Sequence, residues 1–459
     1  MFTQETYLNR RKKLKMSLKS GILLFLGNDE SPMNYEDNTF HFRQDSSFLY
    51  FFGMDYAGLA GIIDLDEDQD VIFGNDLTVE EIVWMGTQPT LLQRADKYGI
   101  SRIRPYAQLA GYLQEAVRKQ RPVHFLPPYR AENKIKLFNL LGIHPGEVKS
   151  KSSVELVKAV VGQRNYKSAE EISEIEKAVD ISVDMHVTAM KMAVPGMKES
   201  ELAAAVTQVA LAAGGQLSFP VIMTINGQTL HNHYHGNILK KGDMVLCDCG
   251  AETALHYSGD LSSTFPVDRQ FTSRQKEIYQ LSLLAHESAL AKLSPGVPFR
   301  EVHYAACRTI INGMKELNLM KGDTEEALAS GAHALFFPCG TGHMMGLDVH
   351  DMEDLGEIYV GYNGQAKSTQ FGLKSLRLAR PMEEGFVATI EPGIYFIPEL
   401  IALWKKNGIN SSFINFQQVE AYSTFSGIRN EEDIVITSDG YRVLGKRKPK
   451  TIAEVESLR

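Results

Sequence analysis

Five side chains that can bind metal ions or transfer protons stand in apolar or glycine-rich surroundings, where charged groups are costly. They are spread along a chain of 459 residues: Asp248 in MVLCDCG, Asp260 in YSGDLSSTFPV, His343 in CGTGHMMGLDVHD, Glu391 in VATIEPGIYF and Glu431 in GIRNEEDIVIT. Four carboxylates and one imidazole suit two divalent ions, and manganese tolerates this mixture of ligands. Since four negative charges also balance two dications, the set indicates a dinuclear metal site.

The first two acids are predicted to share a hairpin. Residues 244–249 have the pattern of a strand, and the stretch from Gly250 to Gly259 allows a turn centred near Ala254. In that register Asp248 and Asp260 lie directly opposite each other, where two carboxylates repel unless a cation sits between them. For this pair alone, an edge hairpin with both acids in water is the more ordinary interpretation.

The other three residues also have ordinary interpretations when they are taken singly. Glu391 follows an apolar run, and a partner such as Arg429 could satisfy a buried carboxylate there. Glu431 begins the acidic run 431–433, which is typical of a solvated turn. His343 lies between glycines, where backbone can approach a ligand closely, although a lone histidine is more often structural. The convergence of all five is what favours a metal site.

These residues, in this order and in these surroundings, resemble the ligands of the dinuclear metallopeptidases of the pita-bread fold. The most similar branch is that of aminopeptidase P and prolidase, which cleave bonds between any residue and proline. Further likenesses are FRQDSSFLYFFG at 42–53, EIVWMG at 81–86, FPVDRQFTSRQKEIY and SLRLARPMEEGFVATIEPGIYF. The resemblance implies an α+β protein, with an N-terminal α/β domain over residues 1–160 and a pita-bread catalytic domain over residues 161–459.

The resemblance also implies how the metals are held. Asp248 would bind one ion with both oxygens, Asp260 and Glu431 would bridge two divalent ions, and His343 and Glu391 would complete the second ion's ligands. The expected ions are Mn²⁺. A hydroxide that bridges them would be the nucleophile, because dications lower the pKa of bound water.

Catalytic and substrate-binding roles carry over in the same way. Glu391 matches the family's proton shuttle, and His350 matches the histidine that steadies the tetrahedral intermediate. His233 resembles a histidine that contacts substrate, with His231 as its rival. Arg377 matches an arginine that meets the terminal carboxylate in prolidases. Arg429, beside the last glutamate, is expected to support that ligand and the bound substrate.

One cysteine departs from the family pattern, and two others are expected to be core residues. Cys339 stands where the family usually has a histidine, so it could keep the shape of the site but not the hydrogen bonds of an imidazole. Cys247 and Cys249 flank Asp248 on its strand and should face the opposite side. We therefore expect them to be core residues and not ligands.

The elements that would position these residues can be read from hydrophobic patterns. Short apolar strands are predicted at 22–26, 59–65 and 123–126, with a helix over 109–119, as in an α/β unit. Ser168 and Glu171 form a capping box, and apolar residues at three-to-four spacing follow it as far as Pro195. A long amphipathic helix should therefore open the second domain.

Composition excludes several classes of protein. Apolar residues make up 44% and charged residues 23%, the net charge is −8, and there are four cysteines. These values are typical of a globular protein and argue against nucleic-acid binding and a disulfide scaffold. The most apolar early run, 21–27, is far too short to span a membrane. We expect a cytoplasmic protein with reduced thiols and no membrane partner.

Together, the patterns and the resemblance predict a Xaa-Pro aminopeptidase that acts on proline-containing peptides. The alternatives are a Xaa-Pro dipeptidase (prolidase) and a metal-free binding protein on the same fold. The resemblance further implies a homo-oligomer, a dimer or a tetramer, with Trp84 of the N-terminal domain close to a neighbour's site.

Overall fold

The computed structural model describes residues 2–459, which divide into two compact units. One contains the chain up to Arg164 together with Asp354–Tyr359, and the other contains Asn165–Glu353 and Val360–Arg459. The boundary expected at residue 160 lies inside the helix Val154–Arg164. Nothing in the sequence indicated that 354–359 belongs with the first unit.

The first unit is built on one five-stranded sheet. Its strands are β1 (Ile22–Leu26), β2 (Ala60–Asp64), β3 (Gln69–Phe73), β4 (Arg102–Arg104) and β5 (Val123–Phe125). Their order in the sheet is β4-β3-β2-β1-β5. β1 pairs antiparallel with β2 and parallel with β5, so the sheet is mixed. The apolar run of β1 lies between β2 and β5, and its first four residues are buried, as its sequence predicts.

Eight helices accompany this sheet within the described part of the chain. They are α1 (Gln4–Lys15), α2 (Ser46–Phe52), α3 (Val79–Met85), α4 (Leu91–Asp96), α5 (Leu109–Arg118), α6 (Ala131–Leu141), α7 (Val148–Lys151) and α8 (Val154–Arg164). Leu109 and Leu113 of α5 and Leu137 of α6 pack with Ile22 and Leu24 of β1 in one hydrophobic cluster.

The second unit contains ten short strands. They are β6 (Gln216–Leu217), β7 (Ile222–Thr224), β8 (Met244–Cys249), β9 (Ala251–Glu252), β10 (Leu261–Pro266), β11 (Val387–Ile390), β12 (Gly393–Tyr395), β13 (Gly427–Arg429), β14 (Glu432–Ile436) and β15 (Tyr441–Val443). Two sheets have three strands each, in the orders β10-β8-β7 and β11-β14-β15. Two further pairs, β12-β13 and β6-β9, are antiparallel.

Helices surround these sheets, as expected for the catalytic part of a pita-bread protein. They are α9 (Ala169–Met192), α10 (Glu199–Ala212), α11 (Ser273–Lys292), α12 (Phe299–Glu316), α13 (Thr324–Ala329), α15 (Pro398–Asn407), α16 (Phe416–Val419) and α17 (Ile452–Ser457). The short helix α14 (Glu357–Val360) belongs, except for Val360, to the first unit. The predicted capping box of Ser168 and Glu171 is present at the start of α9. Ile175, Val179 and Val183 of this helix are buried, and each contributes about 1.5–3 kcal/mol of hydrophobic stabilisation.

No helix within residues 2–459 combines the length and the apolar character that crossing a bilayer requires.

Candidate metal centre and active site

Each of the four predicted carboxylate ligands lies on or directly beside a buried strand. Asp248 is in β8, Asp260 precedes β10, Glu391 follows β11, and Glu431 lies between β13 and β14. His343 belongs to a loop whose next residue bridges to β11. The strands thus bring together residues that are up to 183 positions apart in the sequence.

The register of the β8–β10 hairpin differs from the prediction. Ser262, and not Asp260, lies opposite Asp248, and Leu261 lies opposite Cys249. The turn is therefore centred on Leu255, one residue later than expected. Asp260 is two residues from the partner of Asp248, so the two carboxylates lie diagonally on the same face of the hairpin. The expectation that they are directly opposed was wrong, but their common face remains.

The ligand atoms of three residues form a tight cluster. One side-chain atom each of Asp260, His343 and Glu431 lies within 4.8 Å of the other two. His343 Nε2 is 3.3 Å from Asp260 Oδ2 and 3.6 Å from Glu391 Oε1. Glu391 is the most open of the five, with 22% of its side chain exposed, whereas Asp248 is buried with the others.

Hydrogen bonds orient the imidazole of His343 toward this cluster. Its Nδ1 lies 3.1 Å from the carbonyl oxygen of Met344. A carbonyl only accepts, so Nδ1 carries the hydrogen and the lone pair of Nε2 faces the carboxylates. The backbone N–H of His343 donates to Thr389 Oγ1 at 3.1 Å, which ties the loop to β11.

The carboxylates of this cluster are not fully compensated by hydrogen bonds or positive charges of the protein. Among the described residues, Asp260 Oδ1 and Glu431 Oε1 are buried and lack a hydrogen-bond partner. Burial, and then the charge of Asp248, raise the pKa of Asp260 to about 7. Burial also raises the pKa of Glu391, and it raises that of Glu431 well above the ordinary range. Cations would stabilise the ionised form of these carboxylates and would bind the oxygens that lack a hydrogen-bond partner. The donor set therefore fits divalent metal ions.

The guanidinium of Arg429 is hydrogen-bonded to Asp248 and its neighbours. Its guanidinium donates to Ser262 Oγ at 2.8 Å, to Tyr395 OH at 2.9 Å and to Asp248 Oδ2. These bonds fix the carboxylate of Asp248. The alternative in which Arg429 is the structural hydrogen-bond partner of Glu391 finds no support in these contacts.

The acidic run at 431–433 is not a solvated turn. Glu431, Glu432 and Asp433 are 2%, 5% and 0% exposed. Glu432 Oε2 is 2.7 Å from Lys450 Nζ, and Asp433 Oδ2 accepts the backbone N–H of Asp260 at 3.0 Å. Sequence reasoning missed the role of Asp433 in holding Asp260, because three consecutive acids usually face water.

A cavity of about 320 Å³ opens over the five predicted ligands. The predicted substrate residues His233, His350 and Arg377 line it, and so do His231 and Cys339. Burial lowers the pKa of His231, as does the charge of Arg429, while the charge of Asp248 acts in the opposite direction. The electrostatic environment of His231 therefore includes the charges of Arg429 and Asp248.

Two cysteine predictions can be compared with the structure. Cys339 lines the cavity, and burial, together with the charge of Glu391, raises the pKa of its thiol to about 12. Cys247 and Cys249 are fully buried beside His186, with sulfur atoms 3.6 Å apart. The alternation of β8 directs these two side chains away from the face of Asp248.

Sequence reasoning also missed Glu353. Its Oε2 is 2.5 Å from His350 Nδ1 and 3.3 Å from Arg377 Nε. Asp351, the neighbouring acid weighed for Arg377, forms an ion pair with Lys167 at 2.8 Å. No sequence pattern distinguishes Glu353 from the acids around it.

Comparison with known proteins agrees with this geometry. The model of metallopeptidase family M24 matches residues 173–438, and the model of the aminopeptidase P N-terminal domain matches residues 7–124. The chain belongs to metallopeptidase family M24. All five predicted ligands lie within the M24 match.

Relatives of this M24 chain extend over nearly its whole length. It is 28% identical to the Xaa-Pro dipeptidase of Rattus norvegicus, covering 98% of this chain and 92% of the relative. It is also 28% identical to a probable Xaa-Pro aminopeptidase of Aspergillus clavatus, with coverage of 96% and 93%. The solved structure of Pseudomonas aeruginosa aminopeptidase PepP superposes with a TM-score of 0.81 at 26% identity, over 100% and 98% of the two chains. The recognised family and the pita-bread fold are thereby confirmed.

Proposed function

We propose that this M24 protein is a Xaa-Pro aminopeptidase, which releases the N-terminal residue from peptides that have proline in second position. The observation that carries the proposal is the buried cluster of Asp260, His343 and Glu431, which holds two carboxylate oxygens without a hydrogen-bond partner among the described residues and lines a cavity of about 320 Å³. The names of the relatives support the specificity for proline.

Five residues would hold two divalent cations, and Mn²⁺ suits their mixture of oxygen and nitrogen donors. Asp260 and Glu431 would be shared between the ions, Asp248 would serve one of them, and His343 and Glu391 would serve the other. When bound, the cations supply Lewis acidity that activates water near neutral pH and polarises the scissile carbonyl.

The protein's own residues then position the substrate and move protons. Glu391, the most open of the carboxylates, takes a proton from the attacking water and delivers it to the departing proline nitrogen. His350 stabilises the oxygen that becomes negative, with its ring held by Glu353. His231 or His233 contacts the substrate, since both line the cavity, and the electrostatic effects of Arg429 and Asp248 on His231 favour the former.

Arg377 supports the alternative, a Xaa-Pro dipeptidase. A guanidinium in the cavity could bind the free carboxylate of a dipeptide, and a charge-assisted pair is worth about 1.5–3 kcal/mol net. A comparison of kcat/KM for Ala-Pro, Ala-Pro-Ala and a longer Ala-Pro peptide separates the two. Cleavage of the dipeptide alone, with the preference lost in Arg377→Ala, would establish the dipeptidase.

The enzyme hypothesis itself is tested on Mn²⁺-loaded protein. We expect release of alanine from Ala-Pro-Ala, no comparable release from Ala-Ala-Ala, and loss of activity on chelation. Protein that binds neither Mn²⁺ nor another divalent ion and leaves both peptides intact would instead be a binding protein on this fold.

We also propose that the protein is a cytoplasmic homo-oligomer. The helix α3 exposes Val79, Val83, Trp84 and Met85, with Trp84 84% exposed, a pattern typical of a surface that packs against another copy. The four cysteines are free, which suits a reducing compartment. Sedimentation of wild type and Trp84→Ala tests the assembly: a dimer or tetramer that the substitution weakens supports it, and a wild-type monomer contradicts it.

A further inference from the structure

Glu353 joins two residues of the cavity. It begins a short 3₁₀ turn three residues after His350. The same oxygen, Oε2, accepts from His350 Nδ1 at 2.5 Å and from Arg377 Nε at 3.3 Å. One carboxylate therefore fixes the imidazole and also gives the cavity's arginine an acidic partner.

The loop that carries Glu353 is anchored by a buried ion pair two residues before it. Asp351 and Lys167 form an ion pair at 2.8 Å, and both side chains are only 1% exposed. Met352 adopts a left-handed conformation with a φ of 58°. A non-glycine residue rarely adopts that conformation, because its Cβ crowds the following carbonyl oxygen. The surrounding contacts must therefore hold this turn, and they hold Glu353 with it.

The charge of the Glu353 carboxylate determines its effect on Arg377. The hydrogen bond from His350, and then the charge of Arg377, lower the pKa of Glu353 to about 2. Glu353 is therefore a carboxylate at neutral pH. The positive charge of Arg377 is thus offset by one negative charge before any substrate arrives.

We propose that Glu353 is a specificity-determining residue: by pairing with Arg377 it disfavours a free carboxylate on the substrate's proline and favours peptides that continue beyond it. The inference rests on the proposed Xaa-Pro activity and names the substrate class of that site. Glu353 and Arg377 are 40% and 33% exposed, so solvent screens the effect and it should weaken with salt.

The test compares two substrates that differ only in charge at the proline carboxyl, Ala-Pro and Ala-Pro amide. For wild-type, Mn²⁺-loaded protein we expect a higher kcat/KM for the amide. Glu353→Gln keeps an oxygen acceptor for His350 but removes the charge. It should reduce the amide-to-acid ratio about 3- to 10-fold, mainly through a lower KM for Ala-Pro. The matched control, Glu384→Gln, makes the same change at an exposed position and should leave the ratio unchanged.

Two further measurements separate charge from position. Glu353→Ala also removes the acceptor for His350, so it should lower kcat for both substrates in addition to shifting their ratio. In wild type, raising the salt from 0.05 to 0.5 M should reduce the preference for the amide, which keeps the proposal testable if both variants unfold.

The outcomes distinguish this inference from the function on which it rests. Wild-type protein that cleaves neither substrate nor Ala-Pro-Ala overturns both. Wild-type activity with a ratio that neither Glu353→Gln nor salt changes, or that Glu353→Gln shifts toward the amide, overturns the role of Glu353 alone.

Discussion

In the proposed metal centre, Asp260 and Glu431 are the two carboxylates that both ions would share. We expect Asp260→Asn and Glu431→Gln each to lower kcat/KM for Ala-Pro-Ala by at least about 100-fold, because each removes a shared ligand. The matched control is Glu432→Gln, the neighbouring buried acid, which pairs with Lys450 instead. Near wild-type turnover in either ligand variant, with added Mn²⁺, would defeat the dinuclear assignment.

The two candidate histidines beside the cluster can be ranked. His231→Ala should lower kcat/KM about 10- to 100-fold, as expected for the loss of a hydrogen bond worth about 1.5–3 kcal/mol, and His233→Ala should have the smaller effect. The reason is that the charges of Arg429 and Asp248 act on His231. If His233→Ala were the more damaging change in the same assay, the assignment made from the sequence would be the right one.

At this scale the sequence predicted residue types well and their partners poorly. The five ligand candidates, which converge in the structure, could be selected from the sequence because each stands in an apolar or glycine-rich stretch. A charged or polar side chain is costly in such surroundings. Glu353 and Asp433 could not be found this way, since their roles arise from contacts between distant segments. Arg429 was associated with the correct region, but its bond to Asp248 required the fold.

Among the elements, short apolar runs between breakers were predicted best. The runs of β1 and β8 occupy the expected residues because apolar side chains predominate in each and a glycine follows or precedes the run. The register of the β8–β10 hairpin was missed by one residue. Its connection contains His256 in a left-handed conformation, φ 66°, which an ordinary L-residue rarely adopts and which no pattern announces.

The start of α9 offers a test of an element's contribution to stability. Ser168 Oγ accepts from the backbone N–H of Glu171 at 3.3 Å, and the Glu171 carboxylate accepts from the N–H of Ser168 at 3.0 Å. Ser168→Ala should therefore destabilise the protein by about 1 kcal/mol, seen as a lower Tm. Ser200→Ala, an exposed serine in the first turn of α10, is the control and should change the Tm little. Equal Tm values for the two variants would mean that the cap contributes nothing.

For the whole molecule, buried histidines predict loss of stability in acid. Burial lowers the pKa to about 3 for His286 and His303 and to about 4 for His333. The unfolded value is about 6.5. Between these values the unfolded chain binds more protons, so the free energy of unfolding falls as the pH drops below about 6.5. The slope is at most about 1.4 kcal/mol per pH unit for each histidine.

This acid sensitivity can be measured as Tm from pH 8 to pH 5. Neither ring nitrogen of His333 has a hydrogen-bond partner among residues 2–459, so His333→Leu leaves no neighbouring polar group without its partner. The substitution should therefore reduce the fall of Tm between pH 8 and pH 5. His41→Leu, at an exposed position, should leave the profile as in wild type. A steeper fall in His333→Leu would contradict the sign of the linkage.

Manganese titration of chelator-treated protein, with Ala-Pro-Ala hydrolysis followed in parallel, tests the central claim most directly. The five converging ligands predict two Mn²⁺ ions per chain in wild type, activity that rises as they bind, and fewer than two ions in Glu431→Gln. Hydrolysis that is unaffected by removal of metal, or wild-type protein that binds no divalent ion at this site, would contradict the account.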